Sequence, residues 1–331
     1  MRNVILVDFD APKSWGFRQM LEKTTGENWD VIGLQSNRFH GGVRNLLRYA
    51  QYFWLPLRIF IKKSKYTAVL AWQQFYGLIL AVYLRLFRAK KGPEIFVMTF
   101  IYKQKASWIG KQYFKFVRYA IKSPFIKTVF VYSRNEVKHY ARLFDVPETL
   151  FCAVQLGVED EREQLYAYLR DEGYYVSAGR SNRDYAFLCS VWKGRKLRII
   201  CDTMEKENTE NITFLNNCHN EDYLKQIAGC HAVVIPLQDE NISSGQLVLL
   251  HAMMLGKPVI MTRNSALQEY VLNGSTGLII DKTEEALDSA MSELDDEEKY
   301  CTMSAKAREH FEAHYTYEQL GKSIGEILCT H

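Results

Sequence analysis

The sequence predicts an α/β protein built of two Rossmann-like, doubly wound domains that face a central cleft. Three observations predict it. Short apolar runs rich in Val, Ile, Leu and Phe alternate with helix-patterned stretches, and strands that alternate with helices assemble parallel sheets. The alternation stops over the charge-rich residues 159–172, which read as a linker, and then resumes. The length of 331 residues suits two domains, and a hydrophobic content of 47% fills their cores and excludes a disordered chain. Two such domains in tandem leave a cleft between the carboxyl ends of both sheets, where ligands of these folds bind. The expected domains are residues 1–158 and 173–313.

In the first half, residues 3–9 (NVILVDF) read as a buried strand, with Gly16 downstream where a helix can begin. The turn between lacks G-x-G-x-x-G, so a dinucleotide fingerprint is absent. Residues 29–34 read as a second strand. Residues 42–63 read as a helix interrupted at Pro56, with Tyr49, Tyr52, Phe53, Trp54, Leu57 and Phe60 set among arginines and lysines. Residues 66–84 carry no charge and are about long enough to span a bilayer. Residues 66–72 nevertheless have the β-leaning run of a strand, Gln73 and Gln74 interrupt it, and 76–87 read as a helix, so a strand and helix of a parallel sheet is the preferred reading. Residues 94–100 (EIFVMTF) form a strand, 108–122 a basic aromatic helix, 128–133 a strand, 135–144 a helix and 150–156 a strand.

The second half repeats the rhythm, with strands at 174–178, 197–201, 213–215, 232–235, 258–262 and 277–280. Helices are expected at 184–191, 222–228, 284–294 and 297–313. One stretch organises this half: residues 233–260, VVIPLQDENISSGQLVLLHAMMLGKPVI. An apolar strand ends at Pro236, residues 239–244 are turn-like, and 247–255 are helical, closed by Gly256 and Pro258. Ser243 or Ser244 is the expected N-cap. A helix that opens from a Ser-Ser-Gly turn offers free N–H groups to an anion. Taken alone, the stretch also fits an ordinary capped helix between two buried strands.

The net charge of +4 hides an asymmetry: residues 1–150 hold 25 basic and 9 acidic residues, and the remainder holds 17 basic and 29 acidic. Between Arg38 and Arg134 the one acidic residue is Glu94. A basic, aromatic half suits an anionic membrane, an acidic ligand or a nucleic acid, and no nucleic-acid recognition motif accompanies it. The seven cysteines include no C-x-x-C pair. Cys218-His219 and Cys230-His231 lack ligand-like spacing, so plain thiols in a reducing cytoplasm are expected, and no metal site. Met1 leads almost directly into a strand, so no signal peptide is expected.

Several blocks in order resemble the GT-B glycosyltransferases, in particular the large retaining family that uses nucleotide-diphosphate sugars. VFVYSRNEVKHYARLFDVP followed by VQLGVED is similar to that family's last N-domain strand, serine, helix and entry to the linker. SAGRSNRDYAFL is similar to its first C-domain strand and glycine-arginine turn. HAMMLGKPVI, then Gln268-Glu269-Tyr270-Val271, Gly274 and TGLII, is similar to its donor-binding core. The resemblance covers nearly the whole chain and is clearest from Val129 onward. It implies that the final helical segment, residues 314–331, packs back on the first domain.

The residues fit the implied chemistry. A departing nucleotide diphosphate carries concentrated negative charge, and arginine binds phosphate oxygens in a planar fork. Arg180 matches the family's diphosphate arginine, and Arg183 is the candidate for its second basic residue, where the family usually has a lysine followed by glycine after a longer turn. A surface pair between Arg183 and Asp184 is the bland alternative. Ser243, Ser244, Gly245 and Gln246 complete the expected donor site at the helix start. The family's two glutamates, spaced E-x7-E, are replaced: the positions hold Ser243 and His251. The resemblance gives the second a ribose contact, which imidazole can make as donor and acceptor; a packed His251 that touches no ligand is the alternative. Glu240 is a further catalytic candidate beside Arg180 and Arg183. The histidine that many relatives carry after the strand at 94–100 is absent, with Thr99, Phe100 and Tyr102 in its neighbourhood.

The expected function is transfer of a sugar from a nucleotide-diphosphate sugar to a glycan or lipid-linked glycan with retention, in cell-surface polysaccharide synthesis. No cofactor, metal or nucleic acid is expected beyond that donor. The expected location is cytoplasmic, peripheral on the inner face of an anionic membrane through the basic half. The rival is a non-catalytic homologue that binds a nucleotide sugar or a partner transferase.

Overall fold

The computed structural model describes residues 2–33, 43–204, 206–240 and 243–330, without the side chains of 43–48. Leu34 and Gly42, expected ends of a strand and a helix, and Arg38, which opens the basic run, lie outside the described residues. The chain divides into two compact units, Met1–Val154 with Gly321–His331, and Gln155–Leu320. Each holds a six-stranded parallel sheet with helices.

In the first unit the strands are β1 (Arg2–Val7), β2 (Trp29–Gly33), β3 (Tyr66–Ala71), β4 (Glu94–Val97), β5 (Ile126–Val131) and β6 (Phe151–Ala153), in the order β2-β1-β3-β4-β5-β6. Between them run α1 (Gly16–Thr25), α2 (Val43–Ile61), α3 (Gln74–Leu86), α4 (Trp108–Ile121) and α5 (Arg134–Phe144). Strands covered by helices are buried on both faces, which is why β1 and β3 read as unbroken apolar runs. The uncharged residues 66–84 are β3 and most of α3, and they supply core residues such as Val69, Tyr76 and Leu80. Among the described residues no helix is long and apolar enough to cross a membrane. Ser107 and Ser133 cap α4 and α5 through their side chains.

One expectation fails here. Helix α2 continues through Pro56 instead of stopping there. Leu55 and Ile59, on either side of the proline, are both buried in the core of this unit, and that packing holds the turn although Pro56 donates no N–H. The last helix, α11 (Tyr317–Leu328), contributes its residues from Gly321 onward to this unit. Gly321 lets it approach α1 closely: a Cβ there would lie 2.4 Å from the Phe17 carbonyl oxygen.

In the second unit the strands are β7 (Tyr174–Ala178), β8 (Lys196–Ile200), β9 (Ile212–Leu215), β10 (Ala232–Ile235), β11 (Val259–Thr262) and β12 (Leu278–Ile280). The helices are α6 (Tyr185–Val191), α7 (Asn220–Ala228), α8 (Gln246–Met254), α9 (Glu284–Leu294) and α10 (Glu297–His314). The strand order is β12-β11-β10-β7-β8-β9. The chain thus leaves β7 in one direction and, from β10, proceeds in the other, so neighbours β7 and β10 form the topological switch point of the sheet. Two cores cover the two faces. One gathers Leu249, Met253 and Phe311 around α8, and the other gathers Leu188, Trp192 and Met291.

Residues 159–172 are not a linker. They belong to the second unit, and Leu165 is buried in its core. Their charges are fasteners: Arg308 holds Asp160 through two bonds of 2.9 and 2.6 Å and donates to the Met254 carbonyl at 2.7 Å, while Asp171 meets His231 at 2.7 Å.

Candidate functional site

The site is assembled at the carboxyl ends of β7 and β10, within the second unit. After Ala178 the chain turns through Gly179, whose φ of 106° lies in the region that favours glycine, and Asn182, whose φ is 56°. Glycine adopts the first freely, and asparagine tolerates the second better than most residues. The loop that follows β10 lies against this turn. Arg183 and Leu237 form an antiparallel bridge, and Asp184 N–H donates to the Pro236 carbonyl at 2.9 Å. Asn182 clamps Asp239 with a pair of bonds: its amide donates to the Asp239 carbonyl and its side-chain oxygen accepts from the Asp239 N–H, each at 2.9 Å. From the other side the Asn264 amide also donates to the Asp239 carbonyl at 3.2 Å, and Ser265 N–H donates to the Glu240 carbonyl at 2.8 Å. Residues 236–240 are therefore fixed between the turns after β7 and β11.

Arg183 lies inside this frame. Its Nε donates to the Ala178 carbonyl at 2.9 Å, and one terminal nitrogen donates to the Ser181 carbonyl at 2.9 Å and to Ser244 Oγ at 3.2 Å. The other terminal nitrogen lies over Gly179, 2.8 Å from where a Cβ would be, and 3.5 Å from the corresponding position of Gly245. Burial pulls the Arg183 pKa below its usual value, opposed by the oxygens of Tyr185 and Tyr223. The guanidinium stays cationic at neutral pH. Among the described residues no carboxylate pairs with it. Asp184, the expected surface partner, instead caps α6 at Phe187 N–H (3.0 Å) and pairs with Lys282 at 3.0 Å. Arg180 is exposed at the head of the turn and makes no ion pair with a described residue.

Helix α8 begins beside this guanidinium. Its N-cap is Gly245, with φ 103° and no side-chain cap, which corrects the expectation of a serine cap. Both serines are engaged elsewhere: Ser244 Oγ donates to the Ser181 carbonyl at 2.9 Å, and Ser243 Oγ accepts from the Gln246 side-chain amide. Among the described residues no side chain accepts from the first N–H groups of α8, and the positive end of the helix dipole lies beside the Arg183 terminal nitrogen. The structure brings Arg183, Ser244, Gly245 and Gln246 together; Glu240 is exposed on the neighbouring loop.

His251 is further along α8. Its Nδ1 lies 3.2 Å from the Tyr223 hydroxyl of α7, and the two rings meet edge-on at 5.6 Å. Burial lowers its pKa from 6.5 to about 4, so the ring is neutral at physiological pH. Because α8 starts at Gln246, Ser243 is not part of the same helix face, contrary to the expected two-turn spacing. Sequence reasoning missed Asn182, Asn264, Lys282 and Tyr223. Asn182 had a local signal, an asparagine in a tight Ser-Asn-Arg turn; Lys282 had none, being 98 residues from Asp184. Among the described residues no three or more His, Cys, Asp or Glu gather in a metal-holding group.

Residues 192–310, all within this unit, match the family model of the glycosyl transferases group 1. Solved structures resemble the chain along its whole length. Sucrose-phosphate synthase from Thermosynechococcus elongatus has a TM-score of 0.69 at 17% identity, over 100% of this chain and 99% of that one. Anabaena Alr3699/HepE, in complex with UDP, has a TM-score of 0.68 at 14% identity, over 100% of both chains. WaaG, a glycosyltransferase involved in lipopolysaccharide biosynthesis, has 0.61 at 13%, over 98% and 99%. At these identities the likeness is one of fold, and the fold is GT-B. The matched region and the fold together support a GT-B glycosyltransferase. No curated protein matches the sequence.

Proposed function

We propose that the chain transfers a sugar from a nucleoside-diphosphate sugar to a glycan or lipid-linked glycan, with retention of anomeric configuration, in cell-surface polysaccharide synthesis. The observation that carries the reading is the convergence, at one switch point, of the uncapped α8 N-terminus and the Arg183 fork, with Arg180 exposed in the same turn as Arg183. Such a set of fixed donors suits a diphosphate whose charge grows as the sugar leaves. In this reading Arg180 and the open nitrogen of Arg183 meet the phosphate oxygens, and the N–H groups of Gly245 and Gln246 meet the rest. No metal is needed, because the guanidinium groups and the helix end neutralise the leaving group. His251 offers its Nε2 to the ribose while Tyr223 holds Nδ1. The Alr3699/HepE structures with UDP and with UDP-glucose favour a uridine donor as the first to try. The acceptor is a glycan or lipid-linked glycan reached at the inner face of an anionic membrane, to which the basic first unit would attach. Incubation with UDP-glucose and candidate acceptors, followed by NMR of the product anomer, tests the reading; an inverted anomer would remove retention from it.

A second reading, a non-catalytic homologue that binds the nucleotide sugar, has one observation in its favour. Ser243 and His251 stand where the resembling family has glutamates, and Glu240 is the nearby acid on the loop. Tight UDP binding with no transfer or hydrolysis across donors would select it. If Glu240 assists transfer, Glu240→Gln will keep UDP affinity and lose turnover.

A further inference from the structure

Helix α2 is apolar on the side that packs and also on the side that does not. Leu55 and Ile59 are buried, whereas Phe53, Trp54 and Ile61 are 54%, 55% and 67% exposed. At the end of α3, Leu86 and Phe87 are exposed as well. Contacts through Phe60, Tyr83 and the Phe53 carbonyl join the two elements. The Phe60 and Phe87 rings lie 5.2 Å apart, Phe60 also meets Tyr83 at 6.0 Å, and the Tyr83 hydroxyl donates to the Phe53 carbonyl at 3.4 Å. From Arg58 to Lys91 the sequence has eight basic residues and no acidic one. Among the described residues none of the eight pairs with a carboxylate, and Lys63 instead lies 4.7 Å over the Phe60 ring.

We propose that the outer face of α2 and the C-terminal end of α3 dock the protein on an anionic lipid bilayer, with α2 lying in the interface. An apolar stripe fringed by unpaired cations suits a surface that is negative outside and apolar beneath, and aromatic rings sit well at headgroup depth. A folded acidic protein would offer the charge without a fluid apolar layer to accept Trp54 and Phe87 together. This assignment rests on the membrane partner in the proposed function and gives it a place on the molecule; it is independent of sugar chemistry.

The test uses the full chain with vesicles of phosphatidylcholine alone and with phosphatidylglycerol added, in co-sedimentation. Wild type should bind the anionic vesicles and lose binding as salt rises. Trp54→Glu with Phe87→Glu should reduce partition by about tenfold or more, and Lys62→Gln with Lys65→Gln by roughly fivefold per charge. Brominated acyl chains should quench tryptophan emission in wild type, with most of the quench lost in Trp54→Phe. Unchanged thermal unfolding and UDP binding show that the variants are folded. No binding by wild type would overturn the membrane partner itself. Binding retained both by Trp54→Glu with Phe87→Glu and by Lys62→Gln with Lys65→Gln would overturn this surface while leaving the partner. Dimerisation abolished by Trp54→Glu, without vesicle binding, would assign the patch to a second copy instead.

Discussion

Arg180 and Arg183 are three residues apart in the turn after β7 but differ in surroundings, and their substitutions should differ too. Arg180 is exposed, so Arg180→Ala should weaken UDP binding about tenfold, the worth of a hydrogen bond to a charged group, with little change in stability. Arg183 also satisfies the Ala178 and Ser181 carbonyls, so Arg183→Ala should lose comparable affinity and in addition about 1–3 kcal/mol of stability. Calorimetry with UDP and urea unfolding of both variants check this; normal UDP affinity in both would remove the turn from the diphosphate site. His251 sets a pH signature. Its folded pKa of about 4 lies below the ordinary 6.5, so between those values the unfolded chain takes a proton that the folded one refuses. Its contribution is therefore full above 6.5 and falls as pH drops toward about 4, by up to about 3 kcal/mol. Urea unfolding across this range should show that acid slope in wild type and a shallower one in His251→Asn. If Nε2 holds the ribose, affinity for UDP-glucose, whose doubly esterified diphosphate has no group titrating there, should stay flat as pH falls below 6.5 for as long as it is well above 4, because the folded ring remains neutral, and His251→Ala should weaken it.

At the scale of elements, apolar pattern was the dependable signal and capping was not. Strand β10 and helix α9 stand at the residues their pattern gives, because a buried apolar face defines each. The start of α8 went astray because Ser244 is claimed by Ser181 and Arg183, more than sixty residues away in sequence, a competition that no local rule contains, while Ser243 is held by the Gln246 side chain. Residues 159–172 misled for a similar reason: their charges face partners such as Arg308 and His231 that come much later in the chain. The proposed anion site rests on two glycines of positive φ, Gly179 and Gly245, and that gives a prediction for the turn itself. Alanine at Gly179 would take a strained φ, costing about 1 kcal/mol, and its Cβ would displace the Arg183 guanidinium. Gly179→Ala should therefore resemble Arg183→Ala in UDP affinity, measured by the same titration. An affinity equal to wild type would mean that the open nitrogen of Arg183 does not face the phosphates.

For the whole molecule, the division into two units was visible as a repeated strand-helix rhythm, while the place of the division was obscured by the charge-rich segment that joins the second unit. The charge asymmetry was plain in the composition, yet the patch formed by α2 and α3 required the fold, because Phe53 and Phe87 are remote in sequence. The arrangement makes a strong claim about the second unit. Its sheet is complete, each face carries its own core, and every group assigned to the donor lies between Gly179 and His251. A fragment of residues 155–320 is long enough to bury a core of its own and should unfold cooperatively. It should also bind UDP with an affinity comparable to the full chain, while transferring no sugar to an acceptor. Calorimetry of fragment and full chain side by side decides it. A folded fragment that fails to bind UDP would show that the nucleotide needs a group from residues 1–154 or 321–331, and the switch-point site would then be incomplete as assigned.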